Sequence, residues 1–247
     1  MRNLVKKNIL KLKPSSTLVI NEKCKELISQ GKKVYQLGFG QSPFPVPEKI
    51  VSELKKNAHK KEYLPIQGLP ALRESVSNYL LEKTGVNYPK ENILITPGSK
   101  EAMLLMHVAF NGEIILPAPS WVSYEPQAQI GLNKVHWLQT TRENNWFPTP
   151  KELEKKIQSV GKNKNIILIL NSPNNPSGTV CKNLKKIATI AEKYKIIILS
   201  DEIYTDLTFC NRYESISKFY PDATFVSGGL SKWLGAGGGR LVFCAVP

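Results

Sequence analysis

The sequence predicts an α/β fold with parallel strands, because short apolar runs are separated by an amphipathic helix. Three runs have the length and composition of buried strands: residues 166–170, 196–199 and 224–226. Between the first two, residues 184–194 place four aliphatic side chains on one helical face and charged side chains on the other. A strand, a helix and a second strand in this order indicate a crossover unit with parallel pairing.

Further elements are predicted on both sides of this unit. Residues 92–95 are strand-like and lead into a helical run at 99–110, and residues 241–246 form a final strand. We expect the helices at 99–110 and 184–194 to cover the faces of the sheet.

Asn175, Asp201 and Lys232 each follow one of the three apolar runs. In an open parallel sheet, ligands bind in the crevice outside the carboxyl ends of the strands. We therefore expect these three side chains to converge on one cleft.

The residue types at this cleft suit pyridoxal phosphate (PLP). The Lys232 amine would hold the cofactor aldehyde as a Schiff base, and Asp201 would keep the pyridine nitrogen protonated. Tyr204 and Asn175 would hydrogen-bond the phenolate oxygen of the ring. Arg240, eight residues after Lys232, offers a planar fork to the phosphate.

A second phosphate contact is predicted where the strand-like residues 92–95 lead into the helical run. Gly98, Ser99 and Lys100 lie at this junction. Backbone N–H groups at a helix N-terminus bind anions, so these three residues are candidate cofactor ligands.

Several segments together resemble one enzyme family. They are NNPSG at 174–178, SDEIY at 200–204, EYLPIQGLP at 62–70, PSWVSY at 119–124 and LGFG at 37–40. With Lys232 and Arg240 they resemble the class I/II aminotransferases, which are fold-type I PLP enzymes of the aspartate aminotransferase type. The resemblance runs from about residue 15 to the end of the sequence.

The resemblance implies a mostly parallel mixed sheet with helices on both faces, as in the large PLP-binding domain of that fold type. Residues 1–44 would form an N-terminal arm and a small-domain segment, and residues 45–247 the large domain, C-terminally incomplete. The smaller C-terminal domain, which supplies the arginine that binds the substrate carboxylate, would be missing.

The resemblance also implies the reaction and three more site residues. The family moves an α-amino group between an amino acid and a 2-oxo acid, and Lys232 would shuttle the proton. Trp121 would stack on the pyridine ring, and Gly40 would lie beside the substrate carboxylate. Tyr63 would reach the phosphate of the other subunit's cofactor in a homodimer with shared active sites.

The sequence departs from the family pattern near the lysine. Gly229 stands where relatives usually carry a serine, Gly239 where a bulky aromatic is usual, and Val242 where glycine is common. Ser227 could supply a hydroxyl in place of the serine.

These departures, and the position of the last residue directly after a strand, leave a second hypothesis open. The chain would then be a truncated, catalytically inactive fragment that still binds PLP. Exposed apolar surface would make it marginally stable and prone to aggregate. Other PLP reactions such as β-elimination use much the same residues and also stay open.

The net charge of +14 raises a third hypothesis, a basic protein that binds nucleic acid. The lysines are dispersed over the polar faces of predicted helices, such as 55–61 and 151–164, without a nucleic-acid motif. We therefore expect no specific nucleic-acid partner.

The remaining composition indicates an ordinary globular protein, with 41% apolar and 22% charged residues. The aliphatic runs are too short to span a bilayer and no secretory signal is recognisable, so we expect a cytoplasmic location without a membrane partner. Residues 1–21 lack acidic side chains, as transit peptides do, but contain a single arginine and suit a solvated arm better. The four cysteines and three histidines are scattered, and no metal site is expected.

Overall fold

The structure is a computed structural model and describes residues 4–38, 40–161, 163–209 and 213–247. Its helices are α1 (Lys7–Leu10), α2 (Ser16–Ser29), α3 (Glu48–Asn57), α4 (Pro70–Thr84), α5 (Ser99–Ala109), α6 (Tyr124–Ile130), α7 (Pro150–Val160) and α8 (Leu184–Lys193). Its strands are β1 (Ile93–Thr96), β2 (Glu113–Ala118), β3 (Lys134–Gln139), β4 (Ile166–Asn171), β5 (Ile197–Asp201), β6 (Thr224–Gly229) and β7 (Val242–Ala245).

All seven strands belong to one sheet, in the order β1-β7-β6-β5-β4-β2-β3. The pairs β3–β2, β2–β4, β4–β5 and β5–β6 are parallel, whereas β7 is antiparallel to both β6 and β1. The predicted mostly parallel mixed sheet is therefore confirmed.

Helices cover both faces of this sheet, because the strand side chains alternate between two apolar layers. Leu168 of β4 packs in the cluster that contains residues of α7 and α8. Its neighbour Ile169 packs in the cluster that contains residues of α5 and α6. The prediction that the helices at 184–194 and 99–110 cover the sheet is thus confirmed, and they lie on opposite faces.

A third apolar cluster joins α4 to the other end of the sheet. Val76 and Leu80 of α4 pack with Val226 of β6 and Phe243 of β7. The helix begins with Pro70 in its first turn, where the missing N–H leaves no hydrogen bond unmade.

Two predicted helices are too long. Residues 151–164 were expected to be helical, but α7 ends at Val160. The lysine-rich stretch 55–61 was expected to be helical, but α3 ends at Asn57. The residues beyond it offer no large apolar side chain to bury, and in proteins such burial supplies most helical stability.

The chain has an exposed N-terminal part and a part with a buried core, and the change occurs at about the start of α4. None of the described residues between 4 and 69 is buried, and Val76 is the first core residue. The domain boundary after residue 44 stays a prediction. No helix of the described ranges has both the length and the apolar character needed to cross a membrane.

Three cysteines lie in the described ranges, and all three are free thiols. Burial raises the pKa of Cys181 to about 11 and that of Cys244 to about 12. Both are thus protonated at neutral pH. Cys24 lies on α2, and Cys210 lies outside the described residues.

Candidate functional site

The candidate site lies along the carboxyl ends of β4, β5 and β6. The ends of β4 and β5 are level, because Asn171 pairs in register with Asp201. β6 continues to Gly229, two residues beyond Ser227, which is the register partner of Asp201. Asn175 follows β4 and Lys232 follows β6. The edge therefore brings together side chains that are far apart in sequence.

Asp201, the last residue of β5, is the buried acid of this edge and is only 3% exposed. Its Oδ2 accepts a hydrogen bond of 2.6 Å from the hydroxyl of Tyr124, and its Oδ1 accepts one of 3.3 Å from the Ile203 N–H. Burial raises the pKa of Asp201 to about 6, although these two donors and the Lys232 charge act in the opposite direction.

Lys232 is half-buried and faces this acid. Its Nζ donates to the carbonyl oxygen of Gly40 at 3.1 Å and lies 5.7 Å from the centre of the Tyr204 ring. Burial lowers the pKa of the amine, while the charge of Asp201 partly offsets that effect. A lysine in this environment is a better nucleophile than one in water.

Asn175 and Tyr204 form the next pair. The Asn175 side-chain amide donates to the Tyr204 hydroxyl at 3.0 Å, and the Asn175 N–H donates to Asn171 Oδ1 at 2.7 Å. Burial raises the pKa of Tyr204, and Asp201 adds to the effect. The pair is therefore held as neutral hydrogen-bonding groups beside Lys232.

Arg240 lies against the N-terminus of α5. Its Nε donates to the Pro97 carbonyl at 3.0 Å, and its Nη1 donates to the Gly237 carbonyl at 3.1 Å. A Cβ atom on Gly98 would lie only 1.7 Å from Arg240 Nη2. Glycine is thus required at 98 for the guanidinium to approach the first turn of α5, which begins at Ser99.

Trp121 follows β2 at the same edge. Its ring meets that of Tyr124 edge to face, with 5.3 Å between centroids and an interplanar angle of 81°. Lys100 Nζ lies 5.7 Å from the centre of the Trp121 ring, and the Lys100 carbonyl accepts from the Gln127 amide at 2.7 Å. The indole is held between α5 and α6.

Tyr63 is the one predicted site residue that this chain does not bring to the edge. Its side chain is exposed over its whole surface. Its predicted contact, with a second subunit, stays a prediction.

The departures from the family pattern have a structural explanation at one pair. Gly229 and Val242 are register partners on β6 and β7. A Cβ on Gly229 would lie 2.7 Å from Val242 Cγ2 and 2.7 Å from the Leu241 carbonyl oxygen. Glycine at 229 therefore makes room for valine at 242.

The third departure, Gly239, and the candidate replacement hydroxyl of Ser227 lie apart from this pair. Ser227 is wholly buried on β6, level with Asp201, and its hydroxyl has no hydrogen-bond partner within the described ranges. Gly239 lies in a short turn before Arg240, and a Cβ there would meet nothing within 4 Å.

Sequence reasoning missed Tyr124, although this tyrosine is the last residue of the PSWVSY segment at 119–124. The sequence did indicate that Asp201 would have a hydrogen-bond donor, because a buried carboxylate needs one. The sequence alone does not show which of nine tyrosines reaches Asp201.

Comparison with known proteins identifies the family. Residues 32–247 match the family described as aminotransferase class I and II. An aspartate aminotransferase of Pyrococcus horikoshii is 36% identical over 93% of this chain and 61% of its own length, and one of Geobacillus stearothermophilus is 31% identical over 98% and 63%.

A solved structure of aspartate aminotransferase from Thermus thermophilus with maleate superposes on the whole chain with a TM-score of 0.93 at 28% identity. The match covers 65% of that structure. The chain thus spans less than two thirds of the length of these relatives. With its fold, its strand-end site and this match over most of its length, the chain belongs to the class I and II aminotransferases.

Proposed function

We propose that this chain forms the cofactor-binding part of a PLP-dependent aminotransferase, which moves an amino group between an amino acid and a 2-oxo acid. The observation that carries the proposal is the convergence of Lys232 and Asp201 at the carboxyl edge of the parallel strands. Tyr204 and Asn175 lie beside them.

The chemistry of the residues present fits PLP. Asp201 is a buried acid with charge and hydrogen bonds around it, which suits a cationic ring nitrogen. The Arg240 guanidinium lies beside Gly98 at the N-terminus of α5, which has no side-chain cap. A guanidinium at a helix N-terminus suits a phosphate. Trp121 offers a flat indole at the same edge.

When bound, PLP supplies an aldehyde that joins an amine and a ring that accepts the electron pair left when the substrate Cα loses its proton. Asp201 would hold a proton at the ring nitrogen through charge pairing. Tyr204 and Asn175 would donate hydrogen bonds to the phenolic oxygen.

Lys232 would have two tasks. Its Nζ would hold the cofactor covalently in the absence of substrate, and the same nitrogen, once free, would carry the proton at the substrate Cα. The lowered pKa of the amine supports both tasks, because more of it is unprotonated near neutral pH.

The remaining residues would bind and orient. Arg240, Gly98, Ser99 and Lys100 would bind the phosphate and Trp121 would stack on the ring. Gly40, whose carbonyl already accepts from Lys232, would lie beside the substrate carboxylate.

We also propose a homodimer in which Tyr63 reaches across to the other subunit's phosphate, supported by the complete exposure of that side chain. The names of the relatives, aspartate aminotransferase and in one case aspartate/prephenate aminotransferase, make aspartate the first amino donor to test.

The test is covalent trapping. The purified chain is mixed with PLP, its visible absorbance is recorded, the adduct is reduced with borohydride, and the labelled peptide is located by mass. We expect one label per chain on Lys232 and none at that position in Lys232→Ala. Lys164→Ala, which removes an exposed lysine far along the sheet, is the matched control and should label normally.

Labels scattered over surface lysines would contradict the proposed function. A separate sample, loaded with PLP but not reduced, is given aspartate and a 2-oxo acid, and release of the new 2-oxo acid is measured. Specific labelling without amino transfer would instead favour an inactive cofactor-binding fragment. Release of ammonia and chloride from β-chloroalanine, whose chloride can leave, would favour β-elimination.

A further inference from the structure

Tyr124 connects two parts of the candidate site, yet it has no role in the proposed mechanism. The residue begins α6 and is 1% exposed. Its hydroxyl donates to Asp201 Oδ2 at 2.6 Å, and its ring packs edge to face against Trp121. One side chain therefore touches both the acid and the indole.

Tyr124 is the only side chain that hydrogen-bonds the Asp201 carboxylate within the described ranges. The other donor is the Ile203 N–H, whose 3.3 Å distance is longer than that of a strong bond. A hydroxyl donor at 2.6 Å to a buried carboxylate has the short distance of a charge-assisted bond.

The charges around Asp201 do not replace this bond. Lys232 is the cation that faces it, from the segment after β6. Glu202, the next residue, adds a second buried carboxyl, while the Tyr204 hydroxyl is bound to Asn175. The Glu202 carboxylate is engaged by the hydroxyls of Ser200, Ser215 and Tyr213, so it does not share the donor of Asp201.

We propose that Tyr124 is a positioning residue of this site, whose hydroxyl keeps Asp201 ionised and directed and whose ring fixes the plane of Trp121. The inference rests on the proposed function, because that function is what assigns Asp201 and Trp121 a role in binding PLP. Without the hydroxyl, a fully buried carboxylate keeps one long backbone hydrogen bond, and burial then favours its neutral form.

The ionisation of Asp201 can be measured in the unliganded chain. The infrared carbonyl band of the protonated carboxyl group is followed against pH and assigned by its loss in Asp201→Asn. In Tyr124→Phe, which keeps the ring and removes the hydroxyl, we expect the midpoint to rise by about one pH unit or more.

Tyr88→Phe is the matched control. Tyr88 is also buried, at 2% exposure, and its hydroxyl donates a single hydrogen bond of 2.9 Å, to the Thr224 carbonyl. This variant loses the same atom from the core but should leave the midpoint where it is. An unchanged midpoint in Tyr124→Phe, or an equal shift in Tyr88→Phe, would overturn the inference.

A second measurement tests the consequence for the cofactor. At pH 7 we expect the dissociation constant of PLP to rise about tenfold in Tyr124→Phe, which corresponds to about 1.4 kcal/mol, and to stay unchanged in Tyr88→Phe. In an Asp201→Asn background the Tyr124→Phe change should have little further effect, because the group it acts through is gone.

The two proposals fail in different ways. Equal PLP affinity in wild type and Tyr124→Phe would overturn the role of Tyr124 and leave the proposed function standing. Absence of PLP uptake by the wild type would overturn the proposed function, whereas the infrared midpoints decide the effect of Tyr124 on Asp201 without any cofactor.

Discussion

The N-terminal segment (residues 4–69) and the sheet region (residues 70–247) contribute to the same site in different ways. The described residues of the N-terminal segment include none that is buried, whereas the sheet region contains three buried apolar clusters. The segment supplies Gly40 and Tyr63. The sheet region supplies all the other candidate site residues.

The difference shows how a site is held in place. Asp201 and Lys232 follow core strands, so the packing of those strands decides where their side chains lie. In the N-terminal segment, Gly40 is tied to the site by one hydrogen bond from Lys232, and Tyr63 extends into solvent. A region with few buried contacts opens at low free energy, so its site residues need a further partner to be fixed.

Deleting one side chain in each region should give the largest contrast. Leu168 is fully buried in β4, and Leu18 of α2 is 52% exposed. Leu168→Ala should lower the free energy of unfolding by about 3 to 5 kcal/mol because it leaves a cavity. Leu18→Ala should change it by about 0.5 kcal/mol or less. Urea unfolding measures both, and equal losses would refute the division between the regions.

A buried histidine should make the sheet region sensitive to acid. Burial lowers the pKa of His107 from 6.5 to about 4. Because the folded value lies below the unfolded one, the neutral ring stabilises the fold above about pH 6.5, and this stability is lost as the pH falls toward 4. Between pH 7 and pH 5 the loss should be about 2 kcal/mol.

The check is the pH dependence of unfolding in His107→Gln, which should lack this contribution. Asp201 acts in the opposite direction in both proteins, because its pKa is raised and its protonation favours the folded state. His59→Gln is the matched change at an exposed position of the N-terminal segment and should retain the wild-type profile. A wild-type profile in His107→Gln would show that His107 does not carry the effect.

Alanine substitutions at two glycines with positive φ distinguish the effect of backbone strain from the effect of a steric clash with Arg240. Gly98 has a φ of +125° and no room for a Cβ beside Arg240, whereas Gly31 has a φ of +77° and open space. Both alanine variants strain the backbone, but Gly98→Ala also displaces the guanidinium. On the proposed function, Gly98→Ala should weaken PLP binding about tenfold, or about 1.4 kcal/mol, and Gly31→Ala should not. Similar affinities in the two variants would argue against a phosphate site there.

Helix caps should give the smallest difference. Thr149 caps α7 in a reciprocal pair with Glu152, with its side chain accepting from the Glu152 N–H at 3.2 Å. Ser15, which precedes α2, makes no such side-chain bond. Thr149→Ala should therefore cost about 1 kcal/mol of unfolding free energy, and Ser15→Ala only a few tenths. A larger loss for Ser15→Ala in thermal or urea unfolding would reverse the expectation.

Local patterns were sufficient to predict much of the fold. The apolar runs at 166–170, 196–199 and 224–226 correspond to β4, β5 and β6, and the amphipathic run at 184–194 to α8. Because crossover units pair strands in parallel and ligands bind at their carboxyl ends, the convergence of Asn175, Asp201 and Lys232 also followed. The end of α3 was predicted less well, since helix propensity without burial does not fix a terminus.

The sequence by itself thus determined β4, β5 and β6, the helices α5 and α8, the parallel pairing of the strands around α8 and the residues that the sheet brings to one edge. These features depend on periodicity and chain connectivity. Only the tertiary structure decided which distant side chains meet. Tyr124 hydrogen-bonds Asp201, which is 77 positions away in the sequence. The Arg240 guanidinium lies against Gly98, and the Val242 side chain occupies the space beside Gly229. Such contacts depend on register and on atomic packing between elements, and neither leaves a local pattern in the chain.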